Sequence, residues 1–216
     1  MSRDKLNFSI RKTIIEDFSD ILKIRRNSLL ELNPIDYSVE QIEALQNKEI
    51  EIFNIQEEDL KDDVLALEHF NIIKKNPECS SSIIAQIEDK IIGYAFISDL
   101  DIVTKSQIIY ELFIHPSYVR QGVGTKLLRK LEEDAFYCGC KIITLFAFTT
   151  AESFYQANEY ETIDRTFFIR RGITIPMIYL EKWLVCPTEI DKFFWNLSNQ
   201  IVKFYSWIGT EINKVN

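Results

Sequence analysis

QIIYELFIHPSYVRQGVGTKLLRKLEEDAFYCGCKIITLFAF, residues 107–148, reads as a strand, a glycine turn, a helix and a second strand. Gln107–Ile114 is apolar with a β-branched and aromatic bias, which predicts a strand. Pro116 ends it, because proline cannot donate to a ladder and holds His115 extended. A turn with Gly122 and Gly124 leads into a helix predicted over about Val123–Tyr137. Val123, Leu127, Leu128, Leu131 and Ala135 share one of its faces. Gly139 breaks that helix, and Ile142–Phe148 is apolar enough for a strand buried on both sides. Two such strands joined through a helix make a right-handed crossover.

Glycines in the turn let the main chain approach a ligand closely, and the first N–H groups of a helix lack internal partners. With the positive end of the helix dipole they suit a pyrophosphate. Two phosphate loops are excluded by spacing. Gly122-Val-Gly-Thr-Lys is not the glycine, four residues, Gly-Lys-Ser/Thr of a nucleotide P-loop. Leu127 stands where the dinucleotide fingerprint needs its third glycine.

The stretch resembles the acetyl-CoA-binding core of the GNAT superfamily of N-acetyltransferases. Leu112-Phe113-Ile114-His115-Pro116, then Val119-Arg120-Gln121-Gly122-Val123-Gly124, then Leu127-Leu128 follow the family pattern. Val119 departs from it, standing where the family has arginine or glutamine; Arg120 lies beside it. The resemblance implies acetyl-CoA as co-substrate, without a metal. It implies cofactor contacts from Phe113, Ile114 and His115 at the strand end, from Val119, Arg120, Gln121, Gly122, Val123, Gly124 and Thr125 in the turn, and from Ser153. His115, at a strand end before proline, reads as structural or cofactor-adjacent.

Ala147–Tyr160 resembles a second signature of the family, in which a short helix brings a tyrosine to the cofactor sulfur; Tyr155 falls on that tyrosine. Phe148 replaces a small polar residue and Glu159 replaces a glycine, so Asn158 is expected to supply the left-handed turn. Acetyl transfer needs a neutral amine, a stabilised oxyanion and a proton for the departing thiolate. Tyr155 is assigned as the general acid; the competing reading makes Phe154-Tyr155 an aromatic plug in the core. For the oxyanion, the resemblance implies the main-chain N–H of Phe113 or Ile114. Glu111 is the available base on the same strand, or else a cross-strand charge on an exposed face. Many family members use water instead.

At 216 residues the chain suits one domain with additions. A net charge of −8 argues against a nucleic-acid partner. Met1–Asn7 is polar with no apolar core behind it, and no apolar run reaches membrane-spanning length, so a cytoplasmic protein is expected. Cys79, Cys138, Cys140 and Cys186 lack metal spacing and read as free thiols. Phe8–Thr13 predicts a first strand, and Phe18, Ile21, Leu22 and Leu29 a helix ending before Pro34. Ser38 with Gln41 is a capping box opening a second helix. Residues 48–82 read as an insertion, with a helix over about Glu57–Lys74 whose acidic run is a solvated surface rather than a recognition surface. Ser82–Glu88 with Ile91–Ser98, and Thr162–Arg170 with Ile173–Leu184, predict hairpins. Arg165, Arg170 and Arg171 are candidates for an acidic acceptor or plain surface charges.

The expected fold is therefore α/β (α+β) of GNAT type: a mixed, mostly antiparallel sheet of about seven strands flanked by helices. The domain is expected over 1–185. An extension over 186–216 contains an amphipathic helix, Pro187–Ile212, striped by Ile190, Phe193, Phe194, Leu197, Ile201, Phe204, Tyr205 and Ile208. Trp195 and Trp207 lie off the stripe. That stripe is expected to pack on its own domain or make a homodimer. The expected function is transfer of acetyl from acetyl-CoA to a primary amine of a small molecule or protein. A non-catalytic acyl-CoA-binding module is the alternative, favoured by Val119 and Phe148.

Overall fold

Gln107–Ile114 does form the middle of a sheet. The computed structural model describes residues 6–32, 36–45, 64–75 and 79–198. Among them are seven strands: β1 (Ser9–Lys12), β2 (Ser81–Ile87), β3 (Lys90–Ile97), β4 (Ser106–Ile114), β5 (Ile142–Ala147), β6 (Glu161–Arg170) and β7 (Ile173–Trp183). They form one sheet in the order β1-β2-β3-β4-β5-β7-β6. Only β4 and β5, joined through a helix, pair in parallel; the other pairs are antiparallel. The mixed, mostly antiparallel seven-stranded sheet is the one expected.

Six helices accompany it among the described residues: α1 (Phe18–Leu32), α2 (Val39–Leu45), α3 (Val64–Lys75), α4 (Val123–Tyr137), α5 (Glu152–Gln156) and α6 over 189–198. The predicted apolar stripe of α4 is buried along its whole length and meets Ile83, Ile92, Ile109 and Ile143 on one face of the sheet. Each fully buried leucine there is worth about 1.5–3 kcal/mol. On the other face, Ile21 and Ile24 of α1 pack on Ile84, Ile91 and Tyr94. Leu29, Ile42 and Leu45 meet Ile175 and Met177. The capping box opens α2: Gln41 N donates to Ser38 Oγ at 3.2 Å and Ser38 N to Gln41 Oε1 at 2.9 Å.

One irregularity shapes the molecule. Phe96 pairs with Glu111 and Ile97 with Ile109, which leaves Tyr110 as an extra residue in β4. This bulge bends the strand. The parallel ladder with β5 ends at Ile109 and Leu145, so Tyr110–Ile114 runs without β5 beside it. A cleft opens between the two strands.

Three expectations need revising. The helix expected over Glu57–Lys74 is described over Val64–Lys75, with Glu57–Asp63 outside the described residues; His69 and Phe70 are buried, so α3 contributes to the core. Of the helix expected over Pro187–Ile212, residues 189–198 are described as helical and there the apolar stripe faces out; Ile201, Phe204, Tyr205 and Ile208 lie outside the described residues. Ile190, Phe193 and Phe194 are each more than 60% exposed, while Trp195 docks instead, its Nε1 donating to Glu181 Oε2 at 3.0 Å. Lastly, Glu159 rather than Asn158 takes the left-handed turn, with φ +70°. Asn158 is engaged otherwise, its Nδ2 donating to Phe154 O at 2.8 Å.

A glutamate at that φ is strained by about 1–2 kcal/mol, partly offset by the lower chain entropy a glycine would cost. Glu159→Gly is therefore expected to raise Tm by about 1–3 °C in a calorimetric scan. A lower Tm would mean that the Lys182 contact to Glu159, at 3.5 Å, outweighs the strain. No helix among the described residues is long and apolar enough to cross a membrane. Nor does any group of three His, Cys, Asp or Glu among them offer a metal site.

Candidate active site

The turn between β4 and α4 keeps the open donors its sequence predicts. Arg120 has φ +61° and Gly122 φ +85°, so the turn curls through two left-handed residues. Gly122 caps α4 without a side-chain bond, and the first helical bond is Lys126 N to Gly122 O at 3.1 Å. The N–H groups of Gly122, Val123, Gly124 and Thr125 thus point beyond the helix start without intrahelical acceptors. A Cβ built on Gly122 would meet nothing within 4 Å, so glycine serves the backbone conformation there, not the space. At Gly124 the reason differs, because a Cβ would come within 3.3 Å of the Phe154 ring. This fits a pyrophosphate: donors in a concave turn, a dipole of the right sign, and Arg120 exposed beside them.

Phe154, seated on Gly124, locks the short helix α5 against the start of α4. Its neighbour Tyr155 then turns into the core, edge-on to Phe154 at 5.1 Å and to Tyr160 at 5.6 Å. Tyr155 is 6% exposed and still lines the cleft between β4 and β5. Burial drives its pKa well above the ordinary tyrosine value, so the hydroxyl keeps its proton across the working range.

The cleft encloses about 490 Å³, within the range of small-molecule sites. Its walls come from α1, β4, β5 and the β6–β7 hairpin. His115 N donates to Ile92 O at 2.9 Å, so by alternation the N–H of Phe113 also turns toward β3. Those of Leu112 and Ile114 turn toward the cleft. Ser28 Oγ of α1 pins this end of β4 by donating to Ile114 O at 2.6 Å.

Glu111 lies on the cleft wall, buried rather than on an exposed face. Arg25 Nε stands 3.1 Å from its Oε1; the Tyr94 hydroxyl donates to Oε2 at 2.9 Å, and His69 Nδ1 lies 3.5 Å from Oε2. Burial opposes the charge, but Arg25, His69 and Tyr94 together outweigh it and hold the carboxyl below its ordinary pKa. His69, from α3, lies parallel to Phe96 at 4.5 Å, and its Nε2 is 2.6 Å from Ser82 Oγ. Ser82 Oγ in turn donates to Thr13 Oγ1 at 2.9 Å.

The expected site residues thus fall in two groups. Val119–Thr125 form the turn, and Phe113, Glu111 and Tyr155 gather at the cleft, while the Ile114 side chain packs against the α4 side of the sheet. His115 sits between them with Nδ1 occupied by Ser117 N at 3.2 Å. Ser153 is exposed on α5. Of the three arginines, Arg170 lines the cleft, Arg165 pairs with Glu152 at 2.8 Å, and Arg171 is in the hairpin turn with φ +51°. Arg25 and His69 escaped the sequence reading. A signal existed for Arg25, which shares a helical face with Ile21, Ile24, Ser28 and Leu29, all buried.

Comparison with known proteins adds to this geometry. The profile of the acetyltransferase (GNAT) family matches residues 41–160. No curated protein is detectably similar in sequence. Among solved structures, a GCN5-related N-acetyltransferase from Rhodopseudomonas palustris is 23% identical with a TM-score of 0.66, over 85% of this chain and 99% of that one. The PaiA N-acetyltransferase of Thermoplasma acidophilum, solved with coenzyme A, is 20% identical with a TM-score of 0.63, over 82% and 99%. A phosphinothricin acetyltransferase of Sinorhizobium meliloti, solved with acetyl-CoA, is 18% identical with a TM-score of 0.57, over 85% and 95%. At these identities the likeness is one of fold. The profile match spans more than half of the sequence and includes the glycine turn and Tyr155. The chain belongs to the GNAT acetyltransferase family.

Proposed function

We propose that this protein transfers the acetyl group of acetyl-CoA to a primary amine by direct attack through a tetrahedral intermediate. One observation carries the reading: β4, where it has left β5, and Tyr155 line one cleft, and Phe154 beside Tyr155 packs on Gly124 at the uncapped start of α4. Acetyl-CoA supplies an activated thioester and a thiolate leaving group. The N–H groups of Gly122–Thr125 with Arg120 hold its pyrophosphate, and Val119, Gln121 and Ser153 flank it. The N–H of Ile114, with Leu112 behind it, is the oxyanion donor. Tyr155 gives its hydroxyl proton to the departing sulfur.

Glu111 draws the proton off the amine. Held anionic by Arg25, it passes that proton on, and His69, Ser82 and Thr13 continue the line of exchangeable protons to the half-exposed Thr13. An imidazole suits this task because it can accept on one nitrogen and donate from the other. With a net charge of −8, a nucleic acid is not the proposed partner, and the proposed place of action is the cytoplasm. The non-catalytic acyl-CoA-binding reading draws on Val119 in the turn and on Phe148 beside the cleft.

Calorimetric titration with acetyl-CoA, followed by a free-thiol assay across a panel of amines, tests the proposal. Binding with amine-dependent thiol release supports it; binding with no release above hydrolysis supports the module; no binding sinks both. Gly122→Val separates the turn from the chemistry. A β-branched residue resists φ +85° at a cost of about 1–3 kcal/mol, so the turn relaxes and its donors diverge. The acetyl-CoA Kd should rise about tenfold or more. An unchanged Kd removes the turn from the site.

A further inference from the structure

Six aromatic side chains face the cleft besides Tyr155: Tyr110, Phe113, Phe146, Phe148, Phe167 and Phe168. Three charged groups join them, Arg25, Glu111 and Arg170, and Glu111 is already engaged by Arg25, Tyr94 and His69. Among the described residues, then, the wall carries two guanidinium groups and one carboxylate. It has no second carboxylate to receive a second ammonium group. Phe146 and Phe167 are 53% and 61% exposed, so two large rings stand in water at the cleft unless something apolar covers them.

Building on the acetyl transfer proposed above, we infer that the acceptor is a primary amine on an aromatic body with no second positive charge. The rings supply stacked and edge-on contacts for such a body, and its burial is the main source of affinity. The same apolar wall favours the neutral amine over the ammonium, the form that can attack a thioester. Polyamines, lysine side chains and aminoglycoside-like acceptors would bring a further cation to a wall that, among the described residues, offers no carboxylate besides the already engaged Glu111.

The test uses the full chain with saturating acetyl-CoA and compares phenethylamine and tryptamine with spermidine and lysine by thiol release. In parallel, calorimetry on the coenzyme A-loaded protein measures binding of the same amines without turnover. The aromatic amines should exceed spermidine and lysine in kcat/KM by about 10²-fold. Phe167→Ser, at an exposed position, should shrink that ratio about tenfold while spermidine changes little. Aromatic binding without thiol release would keep the ligand class and remove the transferase reading. Spermidine or lysine turned over as well as phenethylamine would overturn the ligand class and leave the transferase standing. Absence of aromatic-amine binding overturns it whatever the turnover.

Discussion

Tyr155→Phe is expected to lower kcat by about 10²-fold or more while leaving the Kd for acetyl-CoA within about twofold. The ring stays, so its edge-on packing with Phe154 and Tyr160 persists and the fold is not at risk. What disappears is one O–H at the cleft. A free thiol has a pKa near 8.5, which makes the thiolate a weaker base than tyrosinate, and burial widens the gap by raising Tyr155. The same apolar surroundings raise a thiol as well, as they do for the buried Cys140, pushed up to about 11. The donor and the leaving group are therefore shifted in the same direction, and the hydrogen bond between them gains strength in the dry cleft. A further consequence is that Tyr155 imposes no alkaline fall in kcat up to about pH 10. Single-turnover rates across pH for both forms check this. A Tyr155→Phe enzyme that keeps the full chemical step would show that water supplies the proton to the thiolate and end the general-acid assignment.

Local signals carried far along this sequence. The span of α4 is legible because a regular stripe of Val123, Leu127, Leu128, Leu131 and Ala135 sits between Gly122 and Gly139. The capping box at Ser38 is equally local. Tyr155 is placed by resemblance to the family's second signature, and the packing of its neighbour Phe154 on Gly124 is a contact between distant residues that only the fold displays. What escaped depends on partners distant in sequence. The extra residue at Tyr110 exists only through the register of β3, and nothing in the strand announces it. His69 is one histidine in a helix read as surface, and its contacts come from Phe96, Ser82 and Glu111. The outer stripe of α6 is amphipathic, yet its orientation is set by Trp195 on Glu181 and by the Lys141–Asp191 ion pair.

Arg25→Met is the most destabilising single change expected outside the apolar core. Both partners of the Arg25–Glu111 pair are under 10% exposed in their side chains, so removing the guanidinium strands a buried carboxylate. Such losses run to about 3–5 kcal/mol, which lowers Tm by about 6–20 °C in a chain of this length. The pH dependence identifies the cause. In the native protein Glu111 has a folded pKa below its unfolded value near 4.3, so its contribution is complete at neutral pH and drains away as pH falls through the folded value. Without Arg25, the burial that already opposes the charge prevails and the folded pKa rises above the unfolded one. The penalty is then largest at neutral pH and shrinks as acid protonates the stranded group. Arg25→Met should therefore approach native stability as pH falls toward the unfolded carboxyl value near 4.3, the reverse of ordinary acid weakening. Adding Glu111→Gln removes the charge, keeps an acceptor for the Tyr94 hydroxyl, and should restore much of the loss at pH 7. Urea midpoints of the single and double variants at several pH values decide it. A penalty equal at every pH would place the cost in lost packing of the arginine stem, and Glu111 would then owe its charge to His69 and Tyr94 rather than to Arg25.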